Sequence, residues 1–430
     1  MVRIIQGKDK KQLSTILKKR ATQRIDIEER VKDILQQVRE QGDPFLEEMT
    51  RKFDCPNFQL SQMKVSEKEI TSSLSEVPKN DLSIIRQAIK NIWKFHEKQR
   101  QHSWIVTDEE GITLGQMVSP VESVGLYVPG GQGGETPLIS TLIMNAVPAK
   151  IAGVKRLVVV TPPTIHGTTN PYILACASLL GINEIYRIGS AWAIAALAFG
   201  TQSIPKVDMV VGPGNVYVTT AKKLLLGEIG IDMIAGPSEI TIIGDGEANP
   251  RWIAADMLSQ AEHDQLACSI LITPHEELIH KTQEELSIQL EQLPKREIAH
   301  KSLKDWGMFV VTNNIDECFE IANEIAPEHL ELHLKDPMAY LDRVKNAGCV
   351  FLGAYTPEAL GDYFAGPNHV LPTSSTARFS SGLSVETFYK KTNFLWAKRS
   401  YTIENASKVA RLARLEGLEA HARSAEMRRE

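Results

Sequence analysis

The amino-acid sequence predicts an α/β protein built around two parallel β-sheets. Short β-rich runs alternate with helical stretches from about Gly111 onward, and a second alternating series begins at Glu239. The runs at residues 157–160 (LVVV) and 209–211 (MVV) are apolar without interruption. Continuously apolar strands are typical of parallel sheets that helices cover on both faces. We therefore expect two sheets, each packed between helices.

Two amphipathic helices are predicted before the alternating region. Residues 29–41 carry an apolar stripe at helical spacing, which Gly42 and Pro44 interrupt. A second stripe runs through residues 80–101. The chain before about Pro78 is charged and helix-like throughout, so the N-terminal part is expected to be helical.

The alternating region divides into two series of elements. The first contains strands at 156–163, 184–189 and 207–214 and helices at 170–181, 191–200 and 216–227. The second contains strands at 239–245, 268–274, 308–312, 330–334 and 349–353 and helices at 251–264, 275–293 and 315–329, with further helices opening at Pro337 and Pro357. After about Thr387 the chain is basic and helical, and its narrow apolar stripe predicts docking on another surface.

Composition excludes several classes of protein. With 48 Lys+Arg, 53 Asp+Glu and a net charge of −5, no basic field favours nucleic acid or an anionic membrane surface. No apolar run approaches the roughly 18 residues of a membrane span. The N-terminus becomes charged before a signal-peptide core could form, so a cytoplasmic location is expected. The five cysteines form no C-x-x-C pair and are interpreted as core thiols.

Two glycine-rich turns connect strands to helices, at residues 128–134 and 211–215. Their backbone N–H groups could bind a phosphate or carboxylate at a helix N-terminus. Neither turn completes G-x-G-x-x-G, because Tyr217 stands where the third glycine of the second turn would be. From the turns alone, a purely structural role is equally compatible.

Four short segments carry ionisable groups at predicted strand ends or in the helices that follow, where α/β proteins keep their ligands. In the first segment, Gln260 and His263 are three residues apart, a spacing that would place them on one helix face near a shared cation. A solvated, charged helix end is the alternative. In the second, Glu328 and His329 are adjacent and could serve acid–base chemistry if the chain turns at Pro327. The alternative is the polar face of a strand.

The other two segments lie further along the chain. Asp362 and His369 occupy a polar loop after a helix, and Glu416 with His421 lies near the C-terminus. An exposed tail histidine usually has no function. Together the four segments offer Gln, His, Asp and His, a mixed nitrogen and oxygen donor set suited to Zn²⁺, Mn²⁺ or Co²⁺. Sequence alone does not bring these residues together.

A series of motifs resembles the histidinol dehydrogenase family from about residue 30 to residue 425. The motifs are GLYVPGG, VGPGNVYVTTAKK, IDMIAGPSEI, LSQAEHD, APEHLE, YTPEALGDYFAGPNHVLPT, ARFSS and EGLEAHA. The resemblance implies a zinc-dependent, NAD-linked homodimer that oxidises L-histidinol to L-histidine through L-histidinaldehyde, the last step of histidine biosynthesis. It also implies two incomplete Rossmann-like, doubly wound domains with small helical N- and C-terminal extensions.

On this resemblance the domains are expected at 1–23 (helical arm), 24–128 with 238–383 (first Rossmann-like domain, with the catalytic and zinc residues), 129–237 (second domain, on the NAD side) and 384–430 (C-terminal, dimer-docking). The implied zinc ligands are Gln260, His263, Asp362 and His421. His329 is implied as the base and Glu328 as the group that activates water. The implied substrate contacts are Ser238, His369, Glu416, His329 and the zinc ligands, with Glu416 and His421 contributed across the dimer interface.

The resemblance places NAD beside Tyr127 and Asn215, and two departures from the family fall on this side. Family members commonly read Gly-Ala-Gln-Ala where this chain has Ser-Ala-Trp-Ala, so Trp192 replaces a glutamine associated with NAD. The indole can stack but lacks the amide's paired donor and acceptor. The loop at 132–135 is also longer than the family's turn. We therefore expect the NAD pose to differ from that of the family.

Three alternatives remain open from the sequence. The same zinc and NAD apparatus could act on another amino alcohol or a polyol. A zinc hydrolase would use Glu328 and His329 on water, with the glycine turns purely structural. A catalytically idle nucleotide-binding protein would have little reason to keep the four metal donors.

Overall fold

A computed structural model describes residues 2–22, 27–130 and 136–429 of the chain. The loop at 132–135, most of the first glycine turn beyond Gly130 and the boundary at 23/24 lie outside the described residues. The strands are β1 Arg3–Gln6, β2 Trp104–Thr107, β3 Ile112–Pro120, β4 Ser123–Tyr127, β5 Arg156–Thr161, β6 Glu184–Arg187, β7 Met209–Val211, β8 Gly230–Ile231, β9 Glu239–Gly244, β10 Cys268–Thr273, β11 Met308–Val311, β12 His329–His333, β13 Cys349–Leu352 and β14 Tyr389–Ala397.

The helices alternate with these strands. They are α1 Lys10–Thr22, α2 Glu28–Gln41, α3 Asp43–Phe53, α4 Glu67–Glu76, α5 Lys79–His96, α6 Ile139–Ala152, α7 Pro171–Leu179, α8 Ser190–Phe199, α9 Val216–Leu224, α10 Pro250–Ala261, α11 Glu276–Leu290, α12 Arg296–Trp306, α13 Ile315–Ile325, α14 Glu358–Leu360, α15 Arg399–Leu415 and α16 Glu419–Glu426. A 3₁₀ helix, Pro337–Arg343, replaces the helix expected from Pro337. Helix α14 continues directly into a π-helix, Gly361–Ala365.

Two parallel sheets share one strand order. The five-stranded sheet runs β6-β5-β4-β7-β8, and the six-stranded sheet runs β1-β11-β10-β9-β12-β13. Counted along each series of strands, both follow the order 3-2-1-4-5 of doubly wound nucleotide-binding folds. The predicted α/β class with two doubly wound units is confirmed.

Each sheet is covered by helices on both faces. In β5, Leu157 and Val159 face one apolar core while Val158 and Val160 face another. This period-two partition explains why the strand is apolar along its whole length. In the six-stranded sheet, α1 and α13 cover one face and α10, α11 and α12 cover the other.

The packing of the N-terminal helices differs from the predicted domain division. Helices α2 and α3 pack on α8, and α4 and α5 pack on α7 and α6, all beside the five-stranded sheet. Strand β4 pairs with β5 and β7. The described residues of the expected segment 24–128 therefore pack with the five-stranded sheet, because the amphipathic stripes of their helices match the apolar faces of that sheet. The division into 24–128 with 238–383 stays a prediction.

Both terminal extensions contain a strand that the sequence analysis missed. Strand β1 pairs with β11 at the edge of the six-stranded sheet, so the N-terminal arm is not purely helical. Strand β14 precedes the C-terminal helices and pairs antiparallel with β3, from Tyr389 opposite Pro120 to Ala397 opposite Ile112. Strand β2 completes this three-stranded sheet.

The five cysteines are all free, four of them buried and Cys349 partly buried, which confirms the interpretation as core thiols.

Within the described ranges, no helix combines the length and the apolar character needed to cross a membrane.

Candidate functional site

The candidate site lies where β12 begins, between β9 and β13. Ala326 adopts a left-handed conformation (φ 51°) that ends α13, and the chain turns through Pro327 into the strand. Both groups of the Glu328-His329 pair are thereby held near β9. The Glu328 Oε2 atom accepts the backbone N–H of Glu239 at 2.9 Å, and His329 Nδ1 donates to the Glu239 carbonyl at 3.0 Å. The turn expected at Pro327 is confirmed.

Two carboxyl groups approach the other nitrogen of the His329 ring. His329 Nε2 lies 3.6 Å from Asp362 Oδ1 and 3.9 Å from Glu358 Oε1. Asp362 is in the π-helix, and such helices occur frequently at functional sites. Glu358 is not among the site residues predicted from the sequence, although its place after Pro357 and four residues before Asp362 indicates two carboxylates on one helical face.

Gln260 and His263 come from the end of α10. The helix ends at Ala261, so His263 lies in the following turn, and the expectation that one helix face presents both residues is wrong. Gln260 is completely buried, and neither atom of its side-chain amide has a hydrogen-bond partner. The amide is nevertheless close enough to influence Glu358, and the charge of His263 acts on both Glu358 and His369.

The electrostatics of the site are dominated by burial and by mutual charge. Burial raises the pKa of Glu328 to about 8, against the lowering effect of His329. Burial alone would lower the pKa of His329, but the charges of Glu328, Glu358 and Asp362 raise it well above its usual value. Burial also raises the pKa of Glu358. His329 outweighs burial at Asp362 and lowers the pKa of that carboxyl group.

This arrangement fits a divalent cation. Three carboxyl groups surround one buried imidazole, so the cluster has an excess of negative charge that a cation would offset. The unpartnered Gln260 amide and the unpartnered His329 Nε2 are buried polar atoms that call for a ligand. The mixed nitrogen and oxygen donors suit zinc or its close neighbours in the first transition row.

A second buried network lies behind the site on the same face of β12. His329, Glu331 and His333 alternate with apolar residues along the strand, as the strand-face interpretation expected, but all three are buried rather than solvated. His333 Nε2 lies 3.2 Å from Glu331 Oε2 and 3.5 Å from Asp256 Oδ2. Glu331 Oε1 accepts the Glu358 backbone N–H at 2.7 Å, which anchors the start of α14.

The location of the cluster differs from the sequence-based expectation. Glu239 and His329 are the first residues of β9 and β12, so the site opens at the amino-terminal edge of the six-stranded sheet. The ligand position typical of doubly wound sheets is the opposite, carboxyl-terminal edge. Helix α10 runs back from that edge, which brings Gln260 to the site.

Comparison with known proteins identifies the family. The model of the histidinol dehydrogenase family matches residues 17–429. Histidinol dehydrogenases of Oleidesulfovibrio alaskensis and Nitratidesulfovibrio vulgaris are 53% and 56% identical over 402 residues, which cover 94% of this chain and 93% and 92% of those proteins. The chain belongs to the histidinol dehydrogenase family. It is accordingly an oxidoreductase.

A solved structure of the family agrees with this fold. The histidinol dehydrogenase of Elizabethkingia anophelis superposes with a TM-score of 0.88 at 38% identity, covering 94% of this chain and 92% of that one. The two doubly wound sheets are therefore shared with a histidinol dehydrogenase of known structure.

Of the other site residues expected from the resemblance, two adjoin the cluster and two lie away from it. Ser238 immediately precedes β9, and His369 Nδ1 donates to the Asp362 carbonyl at 3.0 Å, so both adjoin the cluster. Glu416, in the turn after α15, and His421, on α16, are both exposed. Helices α15 and α16 pack mainly on each other, and within one chain the described contacts do not bring His421 to the other metal donors.

The residues expected to contact NAD lie beside the five-stranded sheet, where Tyr127 and Asn215 mark its carboxyl-terminal edge. Tyr127 ends β4 and its hydroxyl accepts the Ser190 backbone N–H at 3.0 Å. Asn215 caps α9 by accepting the N–H groups of Tyr217 and Val218. Trp192 is only 4% exposed and stacks on Phe53 at 5.7 Å between ring centroids.

The burial of Trp192 corrects the expectation of a cofactor contact. Its ring belongs to the apolar core, Phe53 covers it, and its indole N–H has no partner. The indole therefore offers neither an exposed ring face nor a replacement for the glutamine amide.

Proposed function

We propose that this protein oxidises L-histidinol to L-histidine through L-histidinaldehyde with two NAD, the last step of histidine biosynthesis. The observation that carries the proposal is the buried imidazole of His329, with one nitrogen fixed by the Glu239 carbonyl and the other facing Glu358, Asp362 and the unpartnered Gln260. Family membership supplies the reaction class. A cytoplasmic location is part of the proposal.

His329 is proposed as the base that accepts the hydroxyl proton of the alcohol. Because Nδ1 donates to a carbonyl oxygen, which can only accept, the ring has its lone pair on Nε2 once it is neutral. The carboxyl charges raise the pKa of His329, and a bound cation would offset those charges and favour the neutral ring. Nε2 has no hydrogen-bond partner and faces the cluster. The ring is therefore oriented for proton transfer to a substrate bound there.

Glu328 is proposed to activate water on the aldehyde. Its carboxyl group is held beside His329, with 3.7 Å between His329 Nδ1 and Glu328 Oε2. A carboxyl group whose pKa is about 8 is a stronger base, once ionised, than an exposed carboxylate. Retention of the aldehyde between the two oxidations would protect it from water and amines. Free histidinaldehyde at levels comparable to turnover would contradict that retention.

Gln260, His263, Asp362 and the partner subunit's His421 are the proposed zinc ligands. Bound zinc would fix the amino and imidazole nitrogens of histidinol near the base, and NAD would accept hydride from the carbinol carbon. Ser238, His329, His369 and the partner subunit's Glu416 are proposed to contact the substrate together with these ligands. A carboxylate at Glu416 suits the substrate's ammonium group.

The proposed homodimer accounts for the exposed C-terminal helices and for apolar side chains on the three-stranded sheet. Trp104, Ile105, Leu395, Trp396 and Leu412 are each at least half exposed. Exposed apolar patches of this kind mark interaction surfaces. A second subunit that covers them would also receive the two tail residues.

Tyr127 and Asn215 are the proposed NAD contacts. They lie where the strand order of the five-stranded sheet reverses between β4 and β7, which is the usual position of a dinucleotide. Trp192 is buried in the apolar core, so we propose that it supports this site from beneath rather than stacking on the cofactor.

The test combines metal analysis with NADH formation on the purified protein. We expect stoichiometric zinc and two NADH for each L-histidinol consumed. NADH with other alcohols but not with histidinol would indicate a related dehydrogenase of different substrate. Stoichiometric zinc without NADH from any alcohol would favour a hydrolase, and absence of bound zinc would favour a nucleotide-binding protein without catalysis.

A further inference from the structure

Arg20, near the end of α1, is a buried cation with no role in the reaction as described so far. Its side chain is 4% exposed, and it reaches from the N-terminal arm to the start of β9. In the sequence it is the last of the basic residues in LKKR and resembles a solvated helix end. A fully buried arginine requires partners for its charge and its N–H groups.

The guanidinium group of Arg20 makes four hydrogen bonds. Nη1 donates to Glu239 Oε1 at 2.5 Å, and Nη2 donates to the carbonyl oxygens of Pro237 and Ser238 at 2.8 and 3.1 Å. Nε donates to the Leu266 carbonyl at 2.6 Å. One side chain therefore holds three successive residues, 237–239, and ties them to the segment that follows α10.

The last of these residues, Glu239, contacts the proposed catalytic pair through its backbone. The Glu239 N–H binds the Glu328 carboxyl group, and the Glu239 carbonyl accepts the His329 ring N–H. Ser238 is a proposed substrate contact. A shift of the backbone on both sides of the Glu239 Cα atom would therefore move the imidazole and the carboxyl group together.

We propose that Arg20 is a positioning residue for histidinol oxidation, because its guanidinium fixes the backbone of residues 237–239 against which Glu328 and His329 are oriented. This inference rests on the proposed function. The N-terminal arm is then part of the catalytic apparatus, although it lies outside both series of alternating elements.

The geometry explains why lysine could not replace this arginine. The planar guanidinium reaches a carboxylate and three carbonyl oxygens at once through a fixed fork of N–H donors. An ammonium group would keep the charge opposite Glu239 but could not hold all four acceptors. Substitution by lysine therefore keeps the positive charge opposite Glu239 but removes hydrogen bonds that position the backbone of residues 237–239.

The experiment compares Arg20→Lys with wild type and with Lys11→Met, a matched control at an exposed position of the same helix. Rates are normalised to folded, zinc-loaded subunits, and histidinol deuterated at the carbinol carbon reports on hydride transfer. For Arg20→Lys we expect kcat to fall about 10- to 100-fold, as for other losses of orientation near reacting groups. We expect wild-type zinc content, an NAD KM within about twofold, and a larger isotope effect, because chemistry becomes slower relative to release.

A double variant, Arg20→Met with Glu239→Gln, keeps the inference testable if single variants fold poorly. It removes the cation and its buried carboxylate partner together, so its thermal midpoint should exceed that of Arg20→Met. Its kcat should stay low, because the carbonyls of 237 and 238 still lack their donor.

Two outcomes would overturn the role of Arg20. One is a normalised kcat within about twofold of wild type in Arg20→Lys, and the other is a kcat in the double variant that recovers in parallel with its thermal midpoint. Lack of histidinol oxidation by the wild-type enzyme would instead refute the proposed function, so the two failures are distinguishable.

Discussion

The two doubly wound sheets have the same strand order but place their polar groups at opposite edges. In the five-stranded sheet, Tyr127 is the last residue of β4 and Gly212 directly follows β7. In the six-stranded sheet, Glu239 and His329 stand at the beginnings of β9 and β12. At the first edge the Gly212 backbone is bound by one buried ion pair, Lys222 with Asp232, whereas the second edge concentrates several carboxyl groups around an imidazole.

This contrast shows that strand order does not decide which edge carries the chemistry. Gly212, with φ of 115°, and the capped start of α9 form an ordinary ligand-binding edge at the five-stranded sheet. At the six-stranded sheet, the end of α10 and the segment after β13 supply the charged groups instead. An edge that would otherwise be structural thereby becomes the proposed site of proton transfer.

The largest expected effect comes from the imidazole at the amino-terminal edge. His329→Ala should lower kcat roughly 10²- to 10⁴-fold because the general base is lost. The measurement is NADH formation on folded, zinc-loaded enzyme. His280→Ala, at an exposed histidine of α11, is the matched control. A stable His329→Ala enzyme with undiminished turnover would remove the catalytic role of this edge.

The next largest effect is expected on zinc content, from the loss of ligands that the two subunits are proposed to share. His421→Ala and Gln260→Ala should each bind little zinc as homodimers, because each lacks a proposed ligand. Random mixing of the two should restore about a quarter of all sites, since half of the dimers are mixed and each contains one intact site. Zinc content and NADH formation after mixing provide the measurement. Recovery in neither assay would exclude a shared site.

The pH dependence of aldehyde oxidation tests the role of Glu328 at the amino-terminal edge of the six-stranded sheet. Burial raises the pKa of Glu328 to about 8, so its carboxyl group is protonated and inactive as a base below that pH. The rate with histidinaldehyde should therefore increase about tenfold per pH unit below about 8 and level off above it. Glu328→Gln should lack this rise. A pH-independent rate in the wild type would contradict the assignment of Glu328.

A smaller effect, on the free energy of unfolding, is expected from Asp54, which follows α3 beside the five-stranded sheet. Burial raises the pKa of Asp54 to about 6, and its Oδ2 atom has no hydrogen-bond partner. The folded state thus binds this proton more tightly than the unfolded state, so the free energy of unfolding falls as the pH rises from about 4 through about 6.

Asp54→Asn should therefore raise the free energy of unfolding by about 1–2 kcal/mol at neutral pH and change it little near pH 4. Urea unfolding at both pH values provides the measurement. Asp33→Asn, at an exposed carboxylate of α2, should change neither value appreciably. Equal effects of Asp54→Asn at both pH values would show that its charge is not the cause.

The sequence predicted those features that local patterns determine. The continuous run at 157–160 indicated a strand covered on both faces, and Pro327 indicated the turn that brings Glu328 beside His329. Strand β1 has only four residues and β14 has no buried residue, so neither carries such a pattern, and their pairing partners are hundreds of residues away. The burial of Arg20 could not be predicted either, because a run of basic residues has the same sequence pattern whether its side chains are solvated or buried in the protein.

The amino-terminal location of the site could not be derived either. His329 begins its strand rather than ending it, and only the path of α10 and of the segment after β13 brings Gln260 and Asp362 to that edge. Motif spacing along the chain contains no information on that convergence.

The antiparallel ladder between β14 and β3 has a consequence for the proposed dimer. Its last hydrogen bond, from the Val121 N–H to the Phe388 carbonyl at 2.9 Å, lies two residues before β4, the strand that ends at Tyr127. Strand β14, which leads to the helices proposed to contact the partner subunit, is thus connected through β3 to the strand that ends at Tyr127. A change in the tilt of this ladder would move both, so the two subunits of the proposed dimer would be mechanically coupled.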